Sequence, residues 1–365
     1  LLFATSKHDP QALRDGIRSV IGPDARLTGG SAVGVITNDR LGYEGHQVGV
    51  AVLASPELRV DLFVAREIKD REYDAGRELG ERIAAAGLFD PNLILMYDLV
   101  KSQVEEGISL NMATPLLAGL TDALEGSWPP TAGGGLMGDS QFRDSFQLNE
   151  DFIEHQSAIA LALAGGIRMD TIICHGCKPA SSYFTITRAD GNVVLELDGR
   201  RAVDVVAQWM GSDSDERAWE DYPLYITLGM NHGEKFGCYQ EDDYAVRLCM
   251  DVDRERGGLA FFGDDLQTGK EVQLMRRSID FSYIGQRVRS LMSRLDDRRP
   301  VLALYIDCIG RAGAHGIEGE EASEVQRIVG ERVPMIGWYV GCEIAQAGAS
   351  MQSHNWTGVL SVLSE

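Results

Sequence analysis

The chain has 365 residues, of which 44% are apolar and 24% charged, so it is long enough for more than one domain and too ordinary in composition to be disordered. A net charge of −21 gives an acidic surface that repels phosphate backbones and anionic lipids, so we expect no nucleic-acid partner and no membrane binding. The longest apolar run, residues 158–167, is far shorter than the roughly 20 residues of a membrane-spanning helix. Six cysteines in a chain of this length favour reduced thiols and therefore a cytoplasmic location.

Three segments of the chain share one pattern: an apolar strand, a helix, and a second strand with a Gly-x-x-x-Gly sequence. The predicted leading strands are residues 1–4, 93–97 and 301–306, and the predicted helices are residues 10–21, 113–124 and 321–329. The glycine pairs are Gly30 and Gly34, Gly134 and Gly138, and Gly337 and Gly341. A strand, a crossover helix and a second strand form a βαβ unit with parallel pairing. The sequence therefore predicts an α/β fold of repeated βαβ units in mixed sheets with outer helices, and equivalent glycine turns at strand ends.

Further elements follow the first two repeats. They are predicted as strands 48–53, 58–64, 158–163 and 171–174, helices 75–86 and 202–210, and a hairpin of strands 183–187 and 193–197. Residues 211–221 are small, polar and acidic, which is typical of an exposed linker, so we divide the chain into parts 1–211 and 222–365. The second part is predicted to contain strands 224–228 and 246–250, a hairpin turn at 253–257, and a helix with an apolar stripe at Ile284, Val288, Leu291 and Leu295.

A pair of cysteines lies where the strand 171–174 ends. Cys174 and Cys177 have CxxC spacing, but no second CxxC pair exists to complete a zinc site, so we predict no metal centre. Cys177 follows a glycine, and Lys178 beside it would favour the thiolate. Cys177 is therefore a candidate nucleophile or ligand contact, with a buried structural thiol as the alternative. His175 is a candidate ligand contact at the same site.

The third repeat places two charged residues beyond its strands. Arg311 follows strand 301–306, and Glu343 follows the last glycine pair. Because the two strands of a βαβ unit run parallel, both residues are expected at one edge of the sheet, where open α/β sheets bind ligands. A guanidinium there can bind a carboxylate in a bidentate manner, and Glu343 could bind an amine, act as a base, or pair with Arg311. Gly30, Gly134 and Gly337 would supply backbone to the pocket, or serve only as tight turns.

The order of these motifs resembles the FIST family over nearly the whole chain. The matching pieces are Gly30–Gly34, Gly134–Gly138, Gly176–Pro179, Cys308–Arg311, Pro334–Gly337, Glu343–Ala345 and His354–Thr357. The resemblance implies a sensory module with an N-terminal and a C-terminal part that binds a small ligand, with amino acids as a suggested class, and acts on a signalling protein. Some members resemble haem-binding nitric-oxide sensors. The chain departs from the family pattern at Cys342, where glycine is usual, and at His175, where glutamine is common.

Three functions are therefore considered. The first is a small-molecule-binding sensory protein with a pocket between its two parts, in which Arg311 binds a carboxylate of the ligand. The second is an enzyme of this family acting on a small carboxylate or amino-acid-like substrate through Cys177 or through Glu343 and Arg311. The third is a haem-binding gas sensor. The sequence does not decide whether the protein is an enzyme, and it names neither the ligand nor the oligomeric state.

Overall fold

The structure is a computed structural model that describes residues 1–43, 45–104, 107–211, 218–223, 225–278, 281–295, 297–312 and 321–365. These residues form two compact units. The first comprises Leu1–Cys174, Phe281–Gln346 and Thr357–Glu365, and the second comprises His175–Asp280 and Ala347–Trp356. Among the described helices, none is both long and apolar enough to cross a membrane. The mixed helix and strand content confirms the predicted α/β fold.

The six α-helices of the described chain agree closely with the predicted ones. They are α1 (Pro10–Ile21), α2 (Glu72–Ala85), α3 (Ala113–Ala123), α4 (Ala202–Met210), α5 (Ser282–Arg294) and α6 (Glu321–Val329). Short 3-10 helices cover Ala218–Asp221, Glu241–Asp243 and Ile309–Arg311. Helix α1 begins with Asp9, whose carboxylate accepts a hydrogen bond from the Ala12 amide at 2.7 Å, and with Pro10 in the first turn. These local signals explain why the boundary of α1 could be predicted.

The strands are numbered along the chain. The first fourteen are β1 (Leu2–Ala4), β2 (Thr28–Ser31), β3 (Val35–Thr37), β4 (Leu41–Gly42), β5 (Val48–Val50), β6 (Arg59–Arg66), β7 (Asn92–Asp98), β8 (Val100–Val104), β9 (Gly107–Leu110), β10 (Thr131–Leu136), β11 (Gln147–Asn149), β12 (Phe152–Glu154), β13 (Ser157–Ala164) and β14 (Arg168–Cys174). The next eight are β15 (Cys177–Pro179), β16 (Phe184–Asp190), β17 (Val193–Leu197), β18 (Arg200–Arg201), β19 (Thr227–Asn231), β20 (Tyr244–Asp253), β21 (Gly258–Phe261) and β22 (Glu271–Arg277). The last five are β23 (Pro300–Cys308), β24 (Met335–Val340), β25 (Cys342–Ala347), β26 (Ser350–His354) and β27 (Gly358–Ser364).

The first unit contains three main sheets and the ribbon β8–β9. The sheets have the strand orders β12-β11-β2-β1-β5, β25-β10-β7-β13-β6 and β14-β27-β23-β24-β3-β4. Their apolar faces share one core, in which Trp338 of β24 stacks on Phe3 of β1 with the ring centroids 3.9 Å apart. Strands buried on both faces have near-continuous apolar sequences, as in Ser157–Ala164. This is why the sequence located them reliably.

The three predicted βαβ units are confirmed by strand pairing. Strand β1 is parallel to β2, β7 to β10, and β23 to β24. In each repeat, the first glycine pairs with a residue of the leading strand. Gly30 pairs with Phe3, Gly134 with Met96, and Gly337 with Tyr305. These glycines lie inside strands, however, so the prediction that they form strand-end turns is wrong.

The second unit is built on antiparallel pairing. Its sheet has the order β15-β22-β16-β17-β21-β20-β19, and helix α4 packs on it. Both α4 and β19 belong to this unit, so the compact units do not separate at the predicted linker. Residues 212–217 of the predicted linker lie outside the described residues. Trp219, near the C-terminal end of the linker, is buried in the core of the unit, so the prediction of an exposed linker is wrong at this end. The division into 1–211 and 222–365 stays a prediction about sequence modules.

Candidate functional site

Arg311 lies in a buried group of charged side chains in the first unit. Strand β23 ends at Cys308, and the following 3-10 turn brings Arg311 back toward Asp307. The Arg311 Nε lies 3.1 Å from an Asp307 carboxylate oxygen, and its Nη2 forms an ion pair with Glu321 at the start of α6. Its Nη1 donates a hydrogen bond to the Cys174 carbonyl at 2.6 Å. All three charged side chains are almost fully buried.

These contacts indicate a structural role for Arg311, and its contact with a ligand stays a prediction. A carboxylate ligand was expected to occupy its guanidinium, but Asp307 and Glu321 already supply the carboxylates. Burial lowers the pKa of Arg311, yet Glu321 and Asp307 outweigh burial and raise it well above its usual value. Arg311 is therefore a charged structural centre, and it joins β14 to the connection between β23 and α6.

Glu343 is the second predicted charged residue, and it lies close to the same group. It occupies β25 and is fully buried. Its Oε2 accepts a hydrogen bond from the Thr357 amide at 3.1 Å. The Cys308 side chain also interacts with the carboxyl group and lowers its pKa, while Oε1 meets no partner at hydrogen-bond geometry among the described residues. Burial and then the Asp307 charge raise the pKa of Glu343 well above its usual value, while Arg311 opposes this shift. Burial thus favours the neutral form of this carboxyl group. We call Asp307, Arg311, Glu321 and Glu343 the Arg311 cluster.

At each of the three predicted glycines, a side chain would clash with the backbone of another segment. Gly134 pairs in register with Glu343 across β10 and β25, so the structure brings these two predicted residues together. A Cβ atom at Gly134 would come within 2.7 Å of the Cys342 carbonyl oxygen. At Gly30 and Gly337 a Cβ atom would meet a backbone oxygen of a neighbouring strand at 2.4 Å. These close approaches of backbone fit a role in strand packing, and the contact of the three glycines with a ligand stays a prediction.

Cys177 and His175 belong to the second unit and have the contacts of core residues. Cys177 is fully buried in an apolar cluster with Tyr244, Val246, Leu248, Met275 and Trp356. Its thiol donates to the His175 carbonyl at 3.4 Å, and its amide donates to His175 Nδ1 at 2.9 Å. The Cys177 thiol is buried and faces a carbonyl, and its role as a nucleophile stays a prediction. The alternative stated from the sequence, a structural thiol, fits these contacts.

His175 is also committed to the fold. Because its Nδ1 accepts a hydrogen bond, the ring is neutral with the proton on Nε2, which lies 3.2 Å from the Glu241 carbonyl oxygen. The Glu241 carboxylate in turn accepts from the His175 and Gly176 amides at 2.7 and 2.8 Å. With both ring nitrogens used, His175 does not fit the role of an axial haem ligand. Within the described residues, no group of three or more His, Cys, Asp or Glu side chains could hold a metal ion.

Three acids important to the first unit were missed by the sequence analysis. Asp307 and Glu321 hold Arg311, and Asp98 occupies the place in the second repeat that Asp307 has in the third. Asp98 lies two residues beyond Met96, the partner of Gly134, and pairs with Leu136. Asp307 lies two residues beyond Tyr305, the partner of Gly337, and pairs with Tyr339. Asp98 accepts hydrogen bonds from the Ser145 hydroxyl at 2.7 Å and the Ser157 amide at 3.2 Å. Aligning the repeats strand by strand would have revealed the two aspartates.

Comparison with known proteins agrees with this arrangement of repeats. The FIST N domain matches residues 1–200, and the FIST C domain matches residues 202–346. The uncharacterized protein Mb0898c of Mycobacterium bovis is 24% identical over 63% of this chain and 59% of its own length, and Rv0628c of Mycobacterium tuberculosis is 24% identical over 64% and 60%. The uncharacterized protein MJ1623 of Methanocaldococcus jannaschii is 33% identical over 50% of this chain and 36% of its own. The chain thus spans about three fifths of the mycobacterial relatives it matches. Since the two domains together cover most of its length in sequence order, the chain belongs to the FIST family of sensory and signalling domains.

Proposed function

We propose that this protein binds a small amine-bearing molecule, such as an amino acid, at Glu343 of the Arg311 cluster, and that this binding is its sensory function. The observation that carries the proposal is the fully buried carboxyl group of Glu343, whose pKa is raised by burial and whose Oε1 meets no partner at hydrogen-bond geometry among the described residues. An unsatisfied buried polar atom is costly, at about 1–3 kcal/mol, and a ligand that donates a hydrogen bond would remove that cost.

The charges around Glu343 favour an amine over a carboxylate. The Arg311 cluster holds three carboxyl groups and one guanidinium, so it is acidic even when Glu343 is neutral. Arg311 already contacts Asp307, Glu321 and the Cys174 carbonyl, and the two carboxylates balance its charge, which disfavours a ligand carboxylate there. A ligand ammonium group would instead pair with Glu343 and favour its ionised form. The sequence-based expectation that Arg311 selects the ligand is thus replaced by selection through Glu343.

The position of the cluster in the fold supports a binding role. Asp307 lies at the end of β23 and Arg311 follows it, Cys174 ends β14, and Glu343 follows β24. Strands β23 and β24 are parallel, and ligands of open α/β sheets bind beyond the carboxyl ends of such strands. The FIST N domain, residues 1–200, contributes Cys174 and Gly134 to the surroundings of the Arg311 cluster. The FIST C domain, residues 202–346, contains the four residues of the cluster, so both family domains contribute to this region.

The proposal is tested by calorimetric titration with amino acids and simple amines such as ethanolamine. We expect a ligand whose binding releases protons, because the raised pKa favours protonated Glu343 and pairing with an ammonium group favours its ionised form. The proton count comes from repeating the titration in buffers of different ionisation enthalpy. Glu343→Gln should weaken binding by about tenfold or more, and should abolish the proton release.

Asp98→Asn is the matched control. Asp98 is also a buried acid at the carboxyl end of a parallel strand in the first unit, but serine groups satisfy its oxygens. The control variant should bind the ligand as the unchanged protein does. Equal affinity in Glu343→Gln and the unchanged protein, or binding without proton release, would contradict the assignment of Glu343.

An enzyme of the same family is the second candidate, and one observation favours it. A carboxyl group whose pKa is raised by burial is suited to act as a general acid, as Glu343 could. Mass analysis of the amine after prolonged incubation separates the two functions, because a sensor returns its ligand unchanged. The absorption spectrum of the purified protein tests the haem hypothesis, which predicts a Soret band. A signalling partner and a cytoplasmic location stay predictions that follow from the family and the composition.

A further inference from the structure

An aliphatic cavity of about 230 Å³ lies in the first unit. It is bounded by helix α1, the connection from β5 to β6, and strands β6 and β13. Its lining includes Ile17, Ile21, Leu53, Leu58, Val60 and Leu161. None of its lining residues belongs to the Arg311 cluster, so this cavity is a separate feature of the unit.

Helix α1 gives an independent indication that the cavity is not filled by the chain around it. All twelve residues of α1 are described, and none of them is buried. Leu13, Ile17 and Ile21 form one apolar stripe, yet they are only partly covered by the small cluster beneath them. Each of the other five α-helices of the described chain has buried residues. An apolar stripe that stays partly in contact with water gains free energy from any apolar molecule that covers it.

The polar side chains of the lining are already paired. Arg26 forms an ion pair with Glu150 at 2.6 Å, and the Thr28 hydroxyl donates to the Leu148 carbonyl at 3.0 Å. The Ser55 hydroxyl accepts a hydrogen bond from the Glu57 amide at 3.3 Å, and the Leu1 amino group donates to the Ala51 carbonyl at 2.9 Å. These polar groups are used within the chain and therefore offer little to a charged ligand. Two exposed lining residues, Val50 and Val52, place apolar surface at the entrance. The chemistry of the cavity selects an uncharged aliphatic molecule.

The volume sets the size of that molecule. A protein cavity of about 150 Å³ lined by aliphatic side chains binds benzene, so by proportion 230 Å³ accommodates about nine non-hydrogen atoms. We propose that this cavity is a binding site for an uncharged aliphatic chain of about that length. Binding would cover Ile17 and Ile21 of α1 and complete the apolar packing that the helix lacks.

The test is a titration of the protein with 1-hexanol, 1-octanol and 1-decanol, followed by NMR of labelled isoleucine and leucine methyl groups. We expect saturable shifts at Ile17 and Ile21, with affinity rising about fourfold for each added methylene from hexanol to octanol. The rise should stop by decanol, because the additional methylenes extend beyond the cavity. Shifts that do not saturate, or an affinity that keeps rising through decanol, would overturn the proposal.

Two variants of one helix separate the cavity from general surface binding. Ile17→Trp fills the cavity and should weaken octanol binding at least tenfold. Val20→Trp adds the same ring at a position of α1 that is 84% exposed and does not line the cavity, so it should change the affinity less than twofold. If Ile17→Trp does not fold, Val52→Trp takes its place, because Val52 lines the cavity and is 76% exposed. Equal effects of the cavity variant and Val20→Trp would refute the site.

Discussion

Replacement of Arg311 by methionine tests the description of the Arg311 cluster as a structural centre. Arg311→Met keeps the length of the side chain but leaves Asp307 and Glu321 buried without their counter-charge. Breaking a buried ion pair by removing one partner costs about 3–5 kcal/mol. The Cys174 carbonyl also loses its donor, which adds to the upper end of that range. We expect a loss of about 4 kcal/mol in the free energy of unfolding at pH 7.5, a large share of the roughly 5–15 kcal/mol of a typical domain.

The loss should depend on pH in a defined direction. In the folded variant, the carboxyl groups of Asp307 and Glu321 reduce the cost of an unpaired buried charge by binding protons. In the unfolded chain, the same groups bind no protons above about pH 5. The folded variant therefore holds more protons than the unfolded chain, and its stability falls as pH rises, by up to about 1.4 kcal/mol per pH unit for each proton. The loss relative to the unchanged protein should be smaller at pH 5 than at pH 7.5.

Urea unfolding at both pH values measures this effect. Arg327→Met is the matched control, because Arg327 pairs with Glu324 on the exposed side of α6 and should contribute no more than about 1 kcal/mol. Adding Asp307→Asn and Glu321→Gln to Arg311→Met should recover at least half of the lost stability. A loss below about 1 kcal/mol at pH 7.5, or an identical loss at both pH values, would refute the assignment of Arg311 as a buried counter-charge.

Two further predictions concern Asp98 and the cysteines. Burial raises the pKa of Asp98 to about 7, so the contribution of Asp98 to stability is present at low pH and is lost as pH rises from about 4 through 7. In urea unfolding, the free energy of unfolding of the unchanged protein should therefore fall by up to about 4 kcal/mol relative to Asp98→Asn across that range. Parallel pH profiles for the two proteins would contradict this. Iodoacetamide should label the exposed Cys238 of the folded protein while leaving the buried Cys177 unmodified, as peptide mass spectrometry will show. Labelling of Cys177 as rapid as that of Cys238 would support Cys177 as a candidate nucleophile.

The sequence was sufficient for the features that depend on short stretches of chain. The α1 and α4 boundaries, the three βαβ units and the hairpin of β16 and β17 were predicted because caps, glycines and apolar periodicity are local signals. The equivalence of Gly30, Gly134 and Gly337 also came from the repeat. Their turn conformation was predicted wrongly, because a glycine allows a tight turn and a close approach of strands equally well.

Only the tertiary structure decided what surrounds the candidate residues. Arg311 donates to the carbonyl of Cys174, which is 137 residues away, and no local pattern predicts a contact across that distance. The same holds for the second unit, where the chain packs Trp219 into a core although its neighbours in sequence are acidic. Whether a charged side chain meets a ligand or another part of the chain depends on which strands become neighbours. Folding brings Asp307, Arg311, Glu321 and Glu343 together because the ends of β14, β23 and β24 lie at one edge of a sheet.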